Sequence, residues 1–96
     1  MIGVVAELNI QDGKQAEFET VFKDLMAKVK ANEPDCLTYQ LYKNRKSETG
    51  YIVMEQYASQ AALDAHGQTD YFTAAMPSIG ACLAGAPNIQ YYDIVE

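Results

Sequence analysis

Cys36-Leu37-Thr38-Tyr39-Gln40-Leu41-Tyr42 and Tyr51-Ile52-Val53-Met54-Glu55-Gln56-Tyr57 flank a polar stretch, Asn44 to Gly50, that holds no apolar residue. Both flanks carry aromatic, aliphatic and β-branched side chains in alternation, the period of a strand. So short a link between them predicts an antiparallel hairpin. Leu37, Tyr39 and Leu41 are expected on one face of the first strand. On the second, Tyr51, Val53 and Tyr57 face one way and Ile52 and Met54 the other.

Upstream of the hairpin, Phe18, Val21, Phe22, Leu25, Met26 and Val29 recur at three and four, with Glu17, Lys23, Asp24, Lys28 and Lys30 on the opposite side. That is an amphipathic helix. Asp12 is the expected N-cap, with Gln15 reaching back as in a capping box. The helix must end at Glu33, because Pro34 pushes its predecessor out of the α region. Before it, Ile2 to Ile10 reads as a strand. Downstream, Ser59 caps a short helix, Gln60 to His66, that stops at Gly67. A further helix starts at Thr69 or Asp70, with Phe72, Ala75, Met76, Ile79 and Leu83 along one stripe; Pro77 is expected to kink it and Gly80 to weaken it. After Gly85-Ala86-Pro87 a last strand runs from Ile89 to Val95.

The order β-α-β-β-α-β predicts one α+β domain over residues 1–96, ferredoxin-like, with a four-stranded antiparallel sheet. Right-handed crossovers place the helices on one face. The other face is not polar as a solvated sheet should be: Ile52 and Met54 occupy it on one strand, and the last strand sets Ile89 and Tyr91 against Tyr92 and Ile94. A chain of this size buries only about 60–70% of its unfolded surface. A second copy packed on that face is the expected remedy, hence a homodimer through the sheet.

The 96 residues carry a net charge of −6, unevenly spread. All seven Lys and Arg lie in residues 1–46, balanced there by seven acids; residues 47–96 hold six acids and no base. Lys43-Asn44-Arg45-Lys46 is the one basic cluster, which excludes nucleic acid as the main partner. Cys36 and Cys82 have neither disulfide-framework nor zinc spacing, so no metal is expected. No apolar run reaches membrane-spanning length, and Met1 leads to Glu7 with no basic segment, so a cytoplasmic protein is expected. There is no GxGxxG, P-loop or nucleophile elbow to seat a nucleotide, and no cofactor is expected.

Few side chains are left for chemistry. His66 is the only one whose ordinary pKa suits proton transfer near neutrality, though it also suits a helix-end cation. Glu55, mid-strand among apolar neighbours, must be paired, hydrogen-bonded or protonated, whether to orient a base or to tie strand to helix. Asn9 could donate an amide hydrogen bond to a ligand or cap the following turn. Seven tyrosines, among them Tyr39, Tyr51 and Tyr57, suit a pocket for an aromatic ligand and an interface equally.

Three short segments in register resemble a known family. Glu33-Pro34-Asp35-Cys36-Leu37-Thr38-Tyr39, Glu55-Gln56-Tyr57-Ala58-Ser59 and Ala62-Leu63-Asp64-Ala65-His66 are similar to the E-P-G-C-x-x-Y, E-x-W-x-S and A-L-x-x-H pattern of the antibiotic biosynthesis monooxygenase domain. Asp35 departs from the pattern's Gly and Tyr57 from its Trp. The resemblance implies a dimeric α+β barrel with a pocket between helices and sheet in each subunit, and it carries the family histidine onto His66 and the strand glutamate onto Glu55. It also implies a choice among cofactor-independent oxygenases of quinols and anthrones, haem-degrading enzymes and an isomerase. In the haem-degrading branch the axial histidine falls near Met76 here, which argues against that chemistry. The expectation is a cofactor-independent monooxygenase acting with dioxygen on an electron-rich aromatic. His66 and Asn9 would be catalytic; Glu55, Tyr39, Tyr51, Tyr57, Phe72 and Met76 would line the substrate. An isomerase of a small oxygenated metabolite and a non-catalytic ligand-binding dimer are the alternatives.

Overall fold

A computed structural model describes residues 1–96. Its elements run β1 (Ile2–Asn9), α1 (Gln15–Asn32), β2 (Cys36–Lys43), β3 (Gly50–Tyr57), α2 (Gln60–Gly67), α3 (Asp70–Cys82) and β4 (Asn88–Asp93). The strands form one sheet in the order β2-β3-β1-β4, every neighbouring pair antiparallel. This is the ferredoxin-like arrangement expected from the sequence.

Strand alternation sets the two faces. Val4, Ala6 and Leu8 of β1 turn inward with Tyr39 of β2 and Tyr51, Val53 and Tyr57 of β3. They meet the apolar stripe of α1, namely Phe18, Phe22, Leu25 and Val29, together with Ile79 and Cys82 of α3. Phe22 stacks on Tyr39 with ring centroids 5.6 Å apart. No helix settles on β4, whose main packing neighbour is β1, and all six of its residues are exposed. The space between that bare strand and the α2–α3 segment becomes the site described below.

Three local expectations are corrected. Asp12 does not cap α1; Lys14 stands at the N-cap without a side-chain bond. Gly13, at φ 91°, and Lys14 separate Asp12 from the first helical residue, so its carboxylate instead accepts from Gln15 Nε2 at 3.2 Å within the turn. Leu37 does not share a face with Tyr39 and Leu41. A bulge lies between Cys36 and Thr38, and Leu37, its extra residue, is left exposed while Cys36 is half-buried. β4 ends at Asp93 rather than Val95; beyond it a single bond from Ile94 N–H to Met1 O, 3.0 Å, continues the pairing. α3 passes through Pro77 as one helix.

Candidate active site

Apart from three tyrosine hydroxyls, His66 is the one polar side chain among the buried residues, 4% exposed. Its position follows from two caps. Ser59 Oγ accepts from Ala62 N–H at 3.2 Å and starts α2, which carries His66 in its last turn. Thr69 Oγ1 donates to His66 O at 2.9 Å and accepts from Phe72 N–H at 3.3 Å. One hydroxyl thus ends α2, begins α3 and sets Phe72 beside the imidazole, ring centroids 4.8 Å apart. Tyr39 and Tyr57 complete the aromatic surround at 4.9 Å and 5.5 Å.

The imidazole is gripped from one side. Nδ1 lies 2.9 Å and 3.1 Å from the two carboxylate oxygens of Glu33, which also accepts from the Tyr71 hydroxyl. Burial, together with that bond to Glu33, pushes the Tyr71 phenol up to about 12, so it stays a donor. Glu33 holds its place because Pro34 forces it into extended backbone, φ −122° and ψ 81°, just past the end of α1. A carboxylate against Nδ1 selects the tautomer protonated there and leaves Nε2 as the acceptor. Nε2 has no partner within the chain and is not sealed from solvent. It is the nitrogen available to a ligand.

His66 lines a cleft of about 1050 Å³ between the inner sheet face and the α2–α3 segment. Its 24 lining residues are mostly apolar, and none is Lys or Arg. Glu55 reaches it from the centre of β3, flanked in register by Val4 and Tyr39. Burial pushes the Glu55 carboxyl up to about 7; the Tyr57 hydroxyl, donating to its Oε1 at 2.6 Å, opposes that shift, and the charge of Glu33 adds to it. Burial also raises Tyr39, which lines the cleft, well above the ordinary phenol range, so its hydroxyl, unpartnered within the chain and not sealed from solvent, stays a donor. No three His, Cys, Asp or Glu side chains converge to hold a metal ion.

Of the residues expected at a site, the structure brings His66, Glu55, Tyr39, Phe72 and Met76 to the cleft wall. Three lie elsewhere. Asn9 is exposed and alternates with Leu8, so its side chain is on the outer sheet face. Tyr51 donates to Glu19 at 2.5 Å and packs on Phe18, tying β3 to α1. Tyr57 is fully buried and supports His66 and Glu55 from behind rather than facing the cleft. Sequence reasoning missed Glu33 and Tyr71 as parts of the site. Glu33 was visible as the residue that ends a helix before Pro34 and as the first position of the E-P-G-C-x-x-Y resemblance, and neither pointed to a contact with His66.

A family model described as antibiotic biosynthesis monooxygenase matches residues 1–78. This chain belongs to the antibiotic biosynthesis monooxygenase family. Among solved structures it is similar to a protein from Caulobacter crescentus described as a candidate antibiotic biosynthesis monooxygenase. The two are 59% identical over 99% of this chain and 90% of that one, with a TM-score of 0.96. A conserved protein from Methanosarcina mazei is 26% identical over 95% of this chain and 89% of its own, TM-score 0.89. An uncharacterised Synechocystis protein is 27% identical over 99% of this chain, which spans 64% of that relative's length.

Proposed function

We propose that this member of the antibiotic biosynthesis monooxygenase family is a cofactor-independent monooxygenase that oxidises an anthrone, quinol or similar electron-rich aromatic with dioxygen. One observation carries the reading: a histidine held at Nδ1 by Glu33 presents Nε2 to a large, mostly apolar cleft without a fixed cation. Dioxygen reacts slowly with closed-shell organics, so the substrate must itself give up an electron, and its anion does so readily. Nε2 accepts the proton that makes the anion, while Glu33 steadies the imidazolium. Tyr39, a cleft-lining phenol that stays a donor, holds the developing oxyanion without help from Asn9, which lies on the outer face, and Phe72 and Met76 supply apolar contact. The absence of Lys and Arg from the lining favours a neutral aromatic over a phosphorylated metabolite.

Part of the same proposal is a homodimer in the cytoplasm, joined through the outer sheet face, where Tyr42, Met54 and Tyr92 are 47%, 43% and 53% exposed. Sedimentation of the wild type as a dimer and of Met54→Glu as a monomer supports it; a wild-type monomer overturns it. For the activity, oxygen uptake is followed with anthrone in air-saturated buffer. His66→Gln keeps a polar side chain of similar reach and is expected to lose most of the rate; turnover at the wild-type rate refutes the assignment.

A further inference from the structure

Glu55 is not explained by holding His66, because that task belongs to Glu33. It stands at the centre of the sheet with its side chain at the same cleft, and only Oε1 is engaged, by the Tyr57 hydroxyl at 2.6 Å. Oε2 has no partner within the chain and is not sealed from solvent. The ionisable groups whose charge reaches it are Tyr39 and Cys36 on β2, Tyr57 on its own strand and Glu33 beyond α1, while His66 and Asp64 of α2 and Asp93 of β4 share its cleft. β1 offers only Val4 across the strand pair. No cation among these neighbours obliges Glu55 to ionise apart from His66, whose Nδ1 is already met by Glu33.

We propose that Glu55 is a second catalytic residue, the general acid that protonates the departing oxygen when the O–O bond of a substrate hydroperoxide breaks. The inference rests on the monooxygenase reading and assigns its second half. With an anthrone, His66 Nε2 first takes a proton from the CH₂ carbon. The carbanion passes one electron to dioxygen, the radical pair couples to form the C–O bond, and the imidazolium returns the proton to the outer oxygen, giving C(H)–O–OH. His66, neutral again, takes the remaining C–H proton as the C=O bond forms and the O–O bond breaks. The leaving hydroxide takes the Glu55 proton and becomes water. A proton then passes from imidazolium to carboxylate, restoring both groups. The sum is CH₂ + O₂ → C=O + H₂O, with all four electrons supplied by the substrate. The last step needs a base and an acid at once, which one histidine cannot be.

Burial holds Glu55 protonated to about pH 7, as the role requires. The bond donated by the Tyr57 hydroxyl to Oε1 fixes the orientation of the carboxyl.

The test uses the intact protein with anthrone, following oxygen uptake and anthraquinone separately and trapping peroxide by iodide oxidation. Glu55→Gln, which can still accept from Tyr57, is expected to take up oxygen, accumulate hydroperoxide and form quinone about 10²-fold more slowly. The wild type should lose quinone formation as pH rises through about 7, and that limb should vanish in the variant. Glu55→Asp should recover part of the rate. If His66→Gln is inactive while Glu55→Gln forms quinone at the wild-type rate with the same pH limb, the general-acid role is wrong and the monooxygenase reading stands. If the wild type consumes no oxygen, both fail.

Discussion

The raised carboxyl of Glu55 predicts a stability change with pH that requires no substrate. Its neighbours withdraw water, and its one hydrogen-bond donor, Tyr57, does not compensate, so the carboxyl moves from 4.5 to about 7 on folding. The native state therefore binds this proton more tightly than the unfolded state. Its contribution is complete below the unfolded value of 4.5, is lost as pH rises towards 7 and is flat above that. At about 1.36 kcal/mol per pH unit the full interval amounts to about 3 kcal/mol, of which about 2.5 kcal/mol falls between pH 5 and pH 8. A domain of this size holds only about 5–14 kcal/mol in total.

Urea unfolding at pH 5 and pH 8, at one protein concentration, measures the loss for the wild type and for Glu55→Gln. Glutamine can still accept from Tyr57 but carries no proton to lose. The wild type should lose about 2.5 kcal/mol more than the variant over that range, and the variant should be the more stable protein at pH 8. Taking the difference removes every titrating group the two proteins share. Equal losses in both would refute the argument that burial governs Glu55, because a solvated carboxyl at that position would behave like an ordinary one.

Other consequences follow from single contacts. Glu33→Gln cannot draw the imidazole into an ion pair; kcat with anthrone should fall about 10²-fold with KM little changed, since Glu33 does not line the cleft. Thr69→Ala removes the cap of α3 and the tie to His66 O; thermal unfolding should show a loss of about 1 kcal/mol, with a fall in kcat from the displaced ring. Phe22→Ala opens the core beneath Tyr39 and should cost about 3–5 kcal/mol in urea unfolding.

The fold was legible because the periods are clean: three-and-four spacing from Phe18 to Val29 and strict alternation through Tyr51, Val53, Glu55 and Tyr57. That alternation already turned Glu55 inward with Val53. The same parity rule, applied to Ile2, Val4, Ala6 and Leu8, turns Asn9 outward and opposes the role given to it. The bulge at Leu37 left no such trace, since one extra residue changes the facing of a strand without changing its composition. Nor did the His66–Glu33 contact, which joins residues 33 apart through the packing of α2 beside the end of α1. The cleft itself depends on β4 lying uncovered, a property of helix placement rather than of any motif.

The unusual tyrosine content and the acidic charge turn out to be linked. Three tyrosines are each tied to a glutamate: Tyr51 to Glu19, Tyr57 to Glu55 and Tyr71 to Glu33. A phenol whose ring is packed needs an acceptor at its tip, and a partly buried carboxylate needs a donor. Each eases the other's problem without a cation, although at Glu55 the Tyr57 hydroxyl offsets burial only in part. The Lys side chains that do pair, Lys14 with Glu17 and Lys28 with Asp24, make ordinary exposed contacts on α1. Inside, hydroxyl donors replace them, so the second half of the chain can fold without a single Lys or Arg. The consequence for the cleft is direct. His66 is the one lining side chain that can take up positive charge, so any anion formed there must depend on it and on neutral donors such as Tyr39. An anion that is made within the site, beside its own base, meets that condition; a substrate that arrives already charged does not.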